Sequence, residues 1–305
     1  MRKILSICVS LISAAALVGA PNTPPSQPKL SAAEIVDKNV AARGGLQAWR
    51  GVQALSFTGK MGAGGNQRAP LAIPSPGGKA AVQAPRRPAE ETQLPFEMDL
   101  ARPHKVRFEL QFNGKTAVQT YDGVNGWKLR PFLNRTDAEP FTPDELKAAS
   151  RSADLDGPLV DCAAKGTQVE LDGVEKVNDR DTYKLKLTLK NGDVTHIWVD
   201  AQTFLEAKAE GTPRRLDGSY HKVEVYYRDY RAVDGLQIPY VLETRVLPVA
   251  KTALGLRDTP VPPEKIVIDK VVVNPKLDAS RFSKPQIAAA PATTNQPATK
   301  PATKR

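Results

Sequence analysis

Cysteine, histidine, methionine and tryptophan are all scarce in this chain: two, three, three and three among 305 residues. Cys8 falls inside an N-terminal apolar run, so a chain processed there keeps Cys162 alone. One cysteine cannot form an internal disulfide. Stability must then come from core burial, and the roughly 250 residues between the two ends suffice for one sizeable core. His104, His196 and His221 fall on separate segments with no His-x-x-x-His spacing. No Gly-x-Ser-x-Gly occurs either. Cys162 sits in the apolar stretch Leu159-Val160-Asp161-Cys162-Ala163-Ala164, which reads as a buried inert thiol rather than a nucleophile. The acid pair Glu90-Glu91 lies in a Gly/Pro/Ala-rich stretch that cannot hold a fixed geometry. The sequence therefore predicts no enzyme, no cofactor and no metal.

Long apolar runs are also missing beyond the N-terminus. No later segment reaches the ~18 apolar residues of a spanning helix, so the mature chain is expected to be soluble. Acids are absent after Asp278, while Lys300, Lys304 and Arg305 close the chain. The formal net charge is +10, falling to about +8 once Arg2 and Lys3 are removed. No nucleic-acid recognition motif accompanies that charge. It reads as a solvated surface, with attraction to anionic lipid head groups as the alternative.

What is present begins with an export signal. Arg2-Lys3 precede an apolar stretch from Ile4 to Val18, followed by small residues. That is a charged region and an apolar region too short to span a bilayer. Residues 1–20 read as a signal peptide, with its cleavage site open between Ala16 and Ala20 because Pro21 disfavours the later cut. The expected location is the periplasm. Residues 21–30 form a proline-rich linker, and 286–305 a Pro/Ala/Thr/Lys tail too polar to order itself.

Between these ends the chain is mainly β. Ser31 with Glu34 makes a capping box for a first helix that stops at Gly44-Gly45. Ala54–Met61 alternates as a first strand, and residues 62–95 read as a long mobile insertion. Dense alternation resumes at Phe96-Glu97-Met98-Asp99-Leu100 and at Val106-Arg107-Phe108-Glu109-Leu110-Gln111-Phe112. Asn113-Gly114, Asp122-Gly123 and Asn191-Gly192 mark hairpins. Another strand is predicted over Gly126–Phe132. Thr142-Pro143-Asp144-Glu145 starts a helix running to about Ala153. A short helix is predicted over Leu159–Ala164. Strands over 169–177, 183–189, 194–199, 205–210, 220–233, 238–246 and 266–273 complete an antiparallel meander.

Several phrases resemble the outer-membrane lipoprotein carrier (LolA-like) superfamily. They are Arg102-Pro103-x-x-Val106-x-Phe108, Asp122-Gly123-x-x-x-Trp127-x-x-x-Pro131 and Trp198-Val199-Asp200-x-x-Thr203-x-Leu205. Asp229-Tyr230-x-x-Val233-Asp234-Gly235-x-x-Ile238-Pro239 and Phe282-Ser283-Lys284-Pro285 extend the likeness over residues 31–285. The resemblance implies a strongly curved antiparallel sheet forming an incomplete barrel, a β-barrel left open, with a helical lid over an apolar cavity for acyl chains. It implies a non-catalytic, monomeric carrier whose partners are an acylated lipoprotein or lipid, with an inner-membrane transporter or outer-membrane receptor. It also implies that Arg102 latches the lid.

A curved sheet with one apolar face needs a cover, because each buried Leu or Phe is worth about 1.5–3 kcal/mol. The candidate lining is Phe57, Phe108, Leu110, Phe112, Trp127, Leu185, Leu187 and Trp198. Each of these can equally be ordinary core. The rival function is therefore a non-catalytic structural or interaction module of the periplasm with a filled core.

Overall fold

The computed structural model describes residues 30–63, 92–216, 219–250 and 261–286. Signal peptide, linker and C-terminal tail, as read from the sequence, lie outside them, apart from Leu30 and Gln286 at the margins. All the elements described fall within the unit Ser31–Arg305.

Helix α1 spans Ala32–Ala42, and the expected capping box is formed. Ser31 Oγ accepts from the Glu34 amide at 3.3 Å, while Glu34 Oε2 accepts from the Ser31 amide at 2.8 Å. Two of the orphan donors at the helix start are thereby satisfied. Gly44 ends the helix at φ +117°, and a Cβ there would lie 2.4 Å from the Gly235 carbonyl oxygen. Helix α2 follows over Leu46–Gly51.

Strands β1 (Ala54–Ala63), β2 (Thr92–Ala101), β3 (Lys105–Phe112), β4 (Lys115–Tyr121), β5 (Gly126–Leu129) and β6 (Glu139–Pro140) form the first half of the sheet. Helix α3 (Pro143–Ser152) then separates these from β7 (Gln168–Val177), β8 (Arg180–Thr188), β9 (Val194–Asp200), β10 (Glu206–Leu216), β11 (Ser219–Val233), β12 (Leu236–Val246) and β13 (Glu264–Val273). One antiparallel sheet holds all thirteen, in the order β6-β5-β4-β3-β2-β1-β13-β12-β11-β10-β9-β8-β7. The last strand returns beside the first, which joins the two meanders at β1–β13. The sheet does not close on itself: β6 and β7 are its edges, so the molecule is an incomplete barrel and not a closed one.

Three local expectations need correction. Strands β1 and β2 reach into the segment read as an insertion, with Met61 opposite Leu94 and Lys60 opposite Pro95. Pro95 is tolerated because β2 pairs with β3 only from Phe96 onward. Residues 64–91 of that segment lie outside the described residues. Strand β5 stops at Leu129, since Pro131 starts a 3₁₀ turn over Pro131–Leu133. The stretch 159–164 is a series of turns rather than a helix, with Asp161 at φ +53°.

The main core lies between one face of the sheet and the helices. Trp49, Val52, Ala149 and Ala153 meet Leu55, Phe57, Phe96, Leu100, Val106 and Tyr121 there, together with Leu236, Ile238, Tyr240, Ile268 and Val271 from the second half.

Candidate functional site

Strand register decides which candidate residues share a face, since directly opposed residues point the same way. Phe57 opposes Met98, and Met98 opposes Phe108. One step along, Gly59 opposes Phe96, and Phe96 opposes Leu110. Phe57 and Phe96 belong to the helix-covered core, with Phe108, Leu110 and Met98 packed against it. The Phe96 and Phe108 rings stack at 5.8 Å between centroids. Position 59 must be glycine, because a Cβ would lie 2.2 Å from the Val267 carbonyl oxygen and 2.9 Å from the Phe96 ring.

The same apolar row continues past the helices. Leu110 is followed on its face by Phe112, which is 38% exposed. Phe112, Leu94 and Pro95 line a cavity of about 520 Å³ at the tips of β2–β4, together with the polar Thr92, Gln111, Asn113, Lys115 and Thr116. The row is thus packed at one end and open at the other.

Leu185 and Leu187 lie on the far half of the sheet, opposite Ile197 and Thr195. Both are fully buried. Pairing carried from Leu185 through Ile197, Ala209, Val225 and Thr244 places them on the helix-covered face as well.

The two tryptophans expected in the lining do not join this face. Trp127 opposes Thr120, which opposes Arg107 and, beyond it, Asp99. That row faces away from the helices. Trp198 opposes Lys184 and Lys208, again on the outer face. It is nonetheless only 4% exposed. The Lys208 ammonium stands 3.8 Å from its ring centroid, Lys184 lies at 5.7 Å, and Glu175 accepts its indole N–H at 2.8 Å. Long cationic side chains can bury an aromatic ring without any helix above it. Trp198 groups with Val177 and Tyr226 in a small separate cluster.

Arg102 sits where the helices meet the sheet. Its Nε donates to the Val52 carbonyl at 2.8 Å and its Nη2 to the Trp49 carbonyl at 3.2 Å, at the end of α2. Nη2 also meets Asp156 Oδ2 at 2.7 Å. Lys165 binds Asp156 Oδ1 at 2.6 Å and Asp154 Oδ1 at 2.7 Å. Desolvation opposes ionisation of Asp156, but the bonds from Arg102 and Lys165 outweigh it and hold its carboxyl down at about 2. Burial pushes Asp154 the other way, above its ordinary value, against the pull of Lys165.

Sequence reasoning missed a second polar anchor. Arg43, at the end of α1, pairs with Glu206 at 3.3 Å and donates to the Asp156 carbonyl at 2.7 Å. The Tyr230 hydroxyl donates to Glu206 Oε2 at 3.1 Å, and burial lifts its pKa well above the usual phenol value. The phrase containing Tyr230 was visible in the sequence, but nothing in it named Glu206 as partner.

Among the described residues no helix is long and apolar enough to cross a membrane. No protein-family model matches the sequence, and no curated protein matches it. Solved structures do. A LolA superfamily protein from Nitrosomonas europaea is 13% identical, covers 84% of this chain and 98% of its own, and has a TM-score of 0.46. A putative outer membrane lipoprotein-sorting protein domain from Vibrio parahaemolyticus is 11% identical over 82% of this chain and 95% of its own, TM-score 0.47. A DUF1329 family protein from Desulfovibrio piger is 13% identical over 82% and 96%, TM-score 0.47.

Proposed function

We propose that this chain is an exported protein that holds acyl chains against the helix-covered face of its open sheet, carrying or sorting lipid or acylated protein in the cell envelope. The observation that supports this reading is the row Phe57–Phe108–Leu110–Phe112, which starts in packed core and ends at the cavity of about 520 Å³. An acyl chain laid along such a row gains about 0.8 kcal/mol for each methylene taken out of water. No cofactor or reacting group is needed for that. Arg102, tying α2 to Asp156, is the proposed latch on the helical cover.

The test is titration of the processed protein with a naturally fluorescent polyene fatty acid. Wild type should bind, and Phe112→Lys or Leu110→Glu should weaken binding by about tenfold or more, with the thermal melt of Phe112→Lys, at the exposed end of the row, unchanged. Leu187 is unsuited to this test, because a charge at a fully buried site would unfold the sheet. Equal binding by all three proteins, or none by wild type, would overturn the proposal.

The filled-core reading draws on the packing of Trp49, Val52 and Ala149 directly onto Phe57 and its neighbours. On that reading no fatty acid binds, and the protein acts through its surface.

A further inference from the structure

The last described stretch of the chain crosses the outer face of the sheet, the one turned away from the helices. A 3₁₀ turn spans Ala279–Phe282, and the side chain of Asp278 caps it by accepting from the Ser280 amide at 2.7 Å. Arg281 reaches Glu97 and Asp99 of β2, at 2.5 Å each. Arg107 of β3 donates to the Arg281 carbonyl at 2.8 Å, and Thr120 of β4 donates to the Phe282 carbonyl at 3.1 Å. The segment thus advances strand by strand toward β5. Within it Phe282 and Pro285 are buried, while Ser283, Lys284 and Gln286 are exposed.

Gln286, the last described residue, lines a cavity of about 640 Å³ on this face. Val118 of β4 and Leu129 of β5, directly opposed and both buried, line it together with Pro131. The rest of the lining is polar, but its charges are already met. Arg107 pairs with Glu109 at 2.5 Å, and Lys115 donates to the Pro131 carbonyl at 3.1 Å. An uncharged occupant with one apolar side chain suits such a lining.

The sequence supplies that occupant next to the cavity. Gln286 is followed by Ile287-Ala288-Ala289-Ala290-Pro291, and Ile287 is the one large apolar residue of 286–305. No charge follows Gln286 before Lys300. Alternate residues of an extended chain point the same way, so a chain continuing past buried Pro285 and exposed Gln286 turns Ile287 inward. Four extended residues reach about 13 Å, more than the two steps of ~4.8 Å that separate β4 from β6.

We propose that the cavity on the outer face is the seat of this chain's own residues 287–290, with Ile287 against Val118 and Leu129. The C-terminal segment then covers the outer face as far as the β5–β6 margin, and the tail carrying Lys300, Lys304 and Arg305 is tethered there. The seat goes beyond the function proposed above and does not depend on an acyl ligand.

The test uses the processed protein with Cys162→Ser, so that one introduced thiol reports. Ala289→Cys should react with a bulky maleimide about tenfold or more slowly than Thr294→Cys, and adding Ile287→Asp should bring the two rates together. Ending the chain at Gln286 should quicken hydrogen–deuterium exchange over residues 132–136, where Asn134 and Thr136 line the cavity, by about threefold or more, with β8 and β9 unchanged. Equal rates for the two thiols, slow labelling that survives Ile287→Asp, or unchanged exchange over 132–136 would overturn the proposal. So would protection that grows with protein concentration, which would give the cavity to the tail of a second copy.

Discussion

Arg102 and Asp156 meet at 2.7 Å across the junction of α2, β2 and the turn segment that follows α3. The Asp156 side chain is 2% exposed, so its charge is tolerable only because Arg102 and Lys165 both reach it. Removing one member of a buried ionic cluster strands the others. Asp156→Ala should therefore cost about 2–4 kcal/mol in a denaturant titration, since Lys165 keeps Asp154 but Arg102 loses the carboxylate it pairs with. Arg102→Met should cost less, because Asp156 still has Lys165.

The same carboxylate gives a pH signature. Its folded pKa of about 2 lies below the ordinary 3.8, so its contribution is complete above pH ~4 and is lost as pH falls toward 2. Asp154 is shifted upward and works in the opposite sense, favouring the fold when protonated and losing that advantage as pH rises through its folded value. Wild type should lose stability more steeply than Asp156→Asn between pH 4 and 2.5. Parallel curves of denaturation midpoint against pH would refute this assignment.

The two halves of the apolar face should respond differently to truncation. Leu187→Ala opens a cavity in a fully buried site and should cost about 2–5 kcal/mol. Phe112→Ala, at the open end of the row, should cost under about 1 kcal/mol. Thermal unfolding of the two variants side by side makes the comparison. The fatty-acid titration should rank them in the reverse order.

Much of this arrangement was legible in the chain. Alternation at Val106–Phe112, the Asn113-Gly114 turn, the Ser31–Glu34 capping box and the Thr142-Pro143 helix start are local signals, and each led to the right element. The shared face of Phe108 and Leu110 was marked by the charges at Arg107 and Glu109 between and beside them, and that of Phe57 by Ser56 and Thr58. Trp127 and Trp198 did not follow. A bulky apolar ring in a strand reads as inward-facing, yet Lys184 and Lys208, from the neighbouring strands, cover Trp198 on the outside. The Arg43–Glu206 and Lys147–Arg151–Asp193 contacts join residues far apart in sequence, and no local pattern announces such partners.

The outward position of Trp198 carries its own prediction. Lys208→Met should remove the cation from the ring face and cost about 1 kcal/mol. Acyl binding should not change, because Trp198 lies on the face away from the helices. A fatty acid that quenches Trp198 emission, followed in a protein with Trp49 and Trp127 replaced by Phe, would contradict that placement.

Asp99 and Arg281 test how the end of the described chain is fastened to the outer face. The Asp99 side chain is fully buried, and Arg281 Nε donates to it at 2.5 Å while Nη2 reaches Glu97. Arg107 donates to the Arg281 carbonyl at 2.8 Å, and Thr120 to the Phe282 carbonyl at 3.1 Å, so this segment lies across β2, β3 and β4. Arg281→Met should cost about 3–5 kcal/mol, because it leaves a carboxylate buried without its cation. Asp99→Asn alone should cost less, since Arg281 keeps Glu97 and Glu109. The decisive comparison is the double variant. If the penalty comes from the stranded charge, adding Asp99→Asn to Arg281→Met should recover part of the loss, giving a coupling energy of about 1–3 kcal/mol in a double-mutant cycle. Strict additivity would mean that Phe282 and the backbone contacts hold the segment and that the ion pair adds nothing.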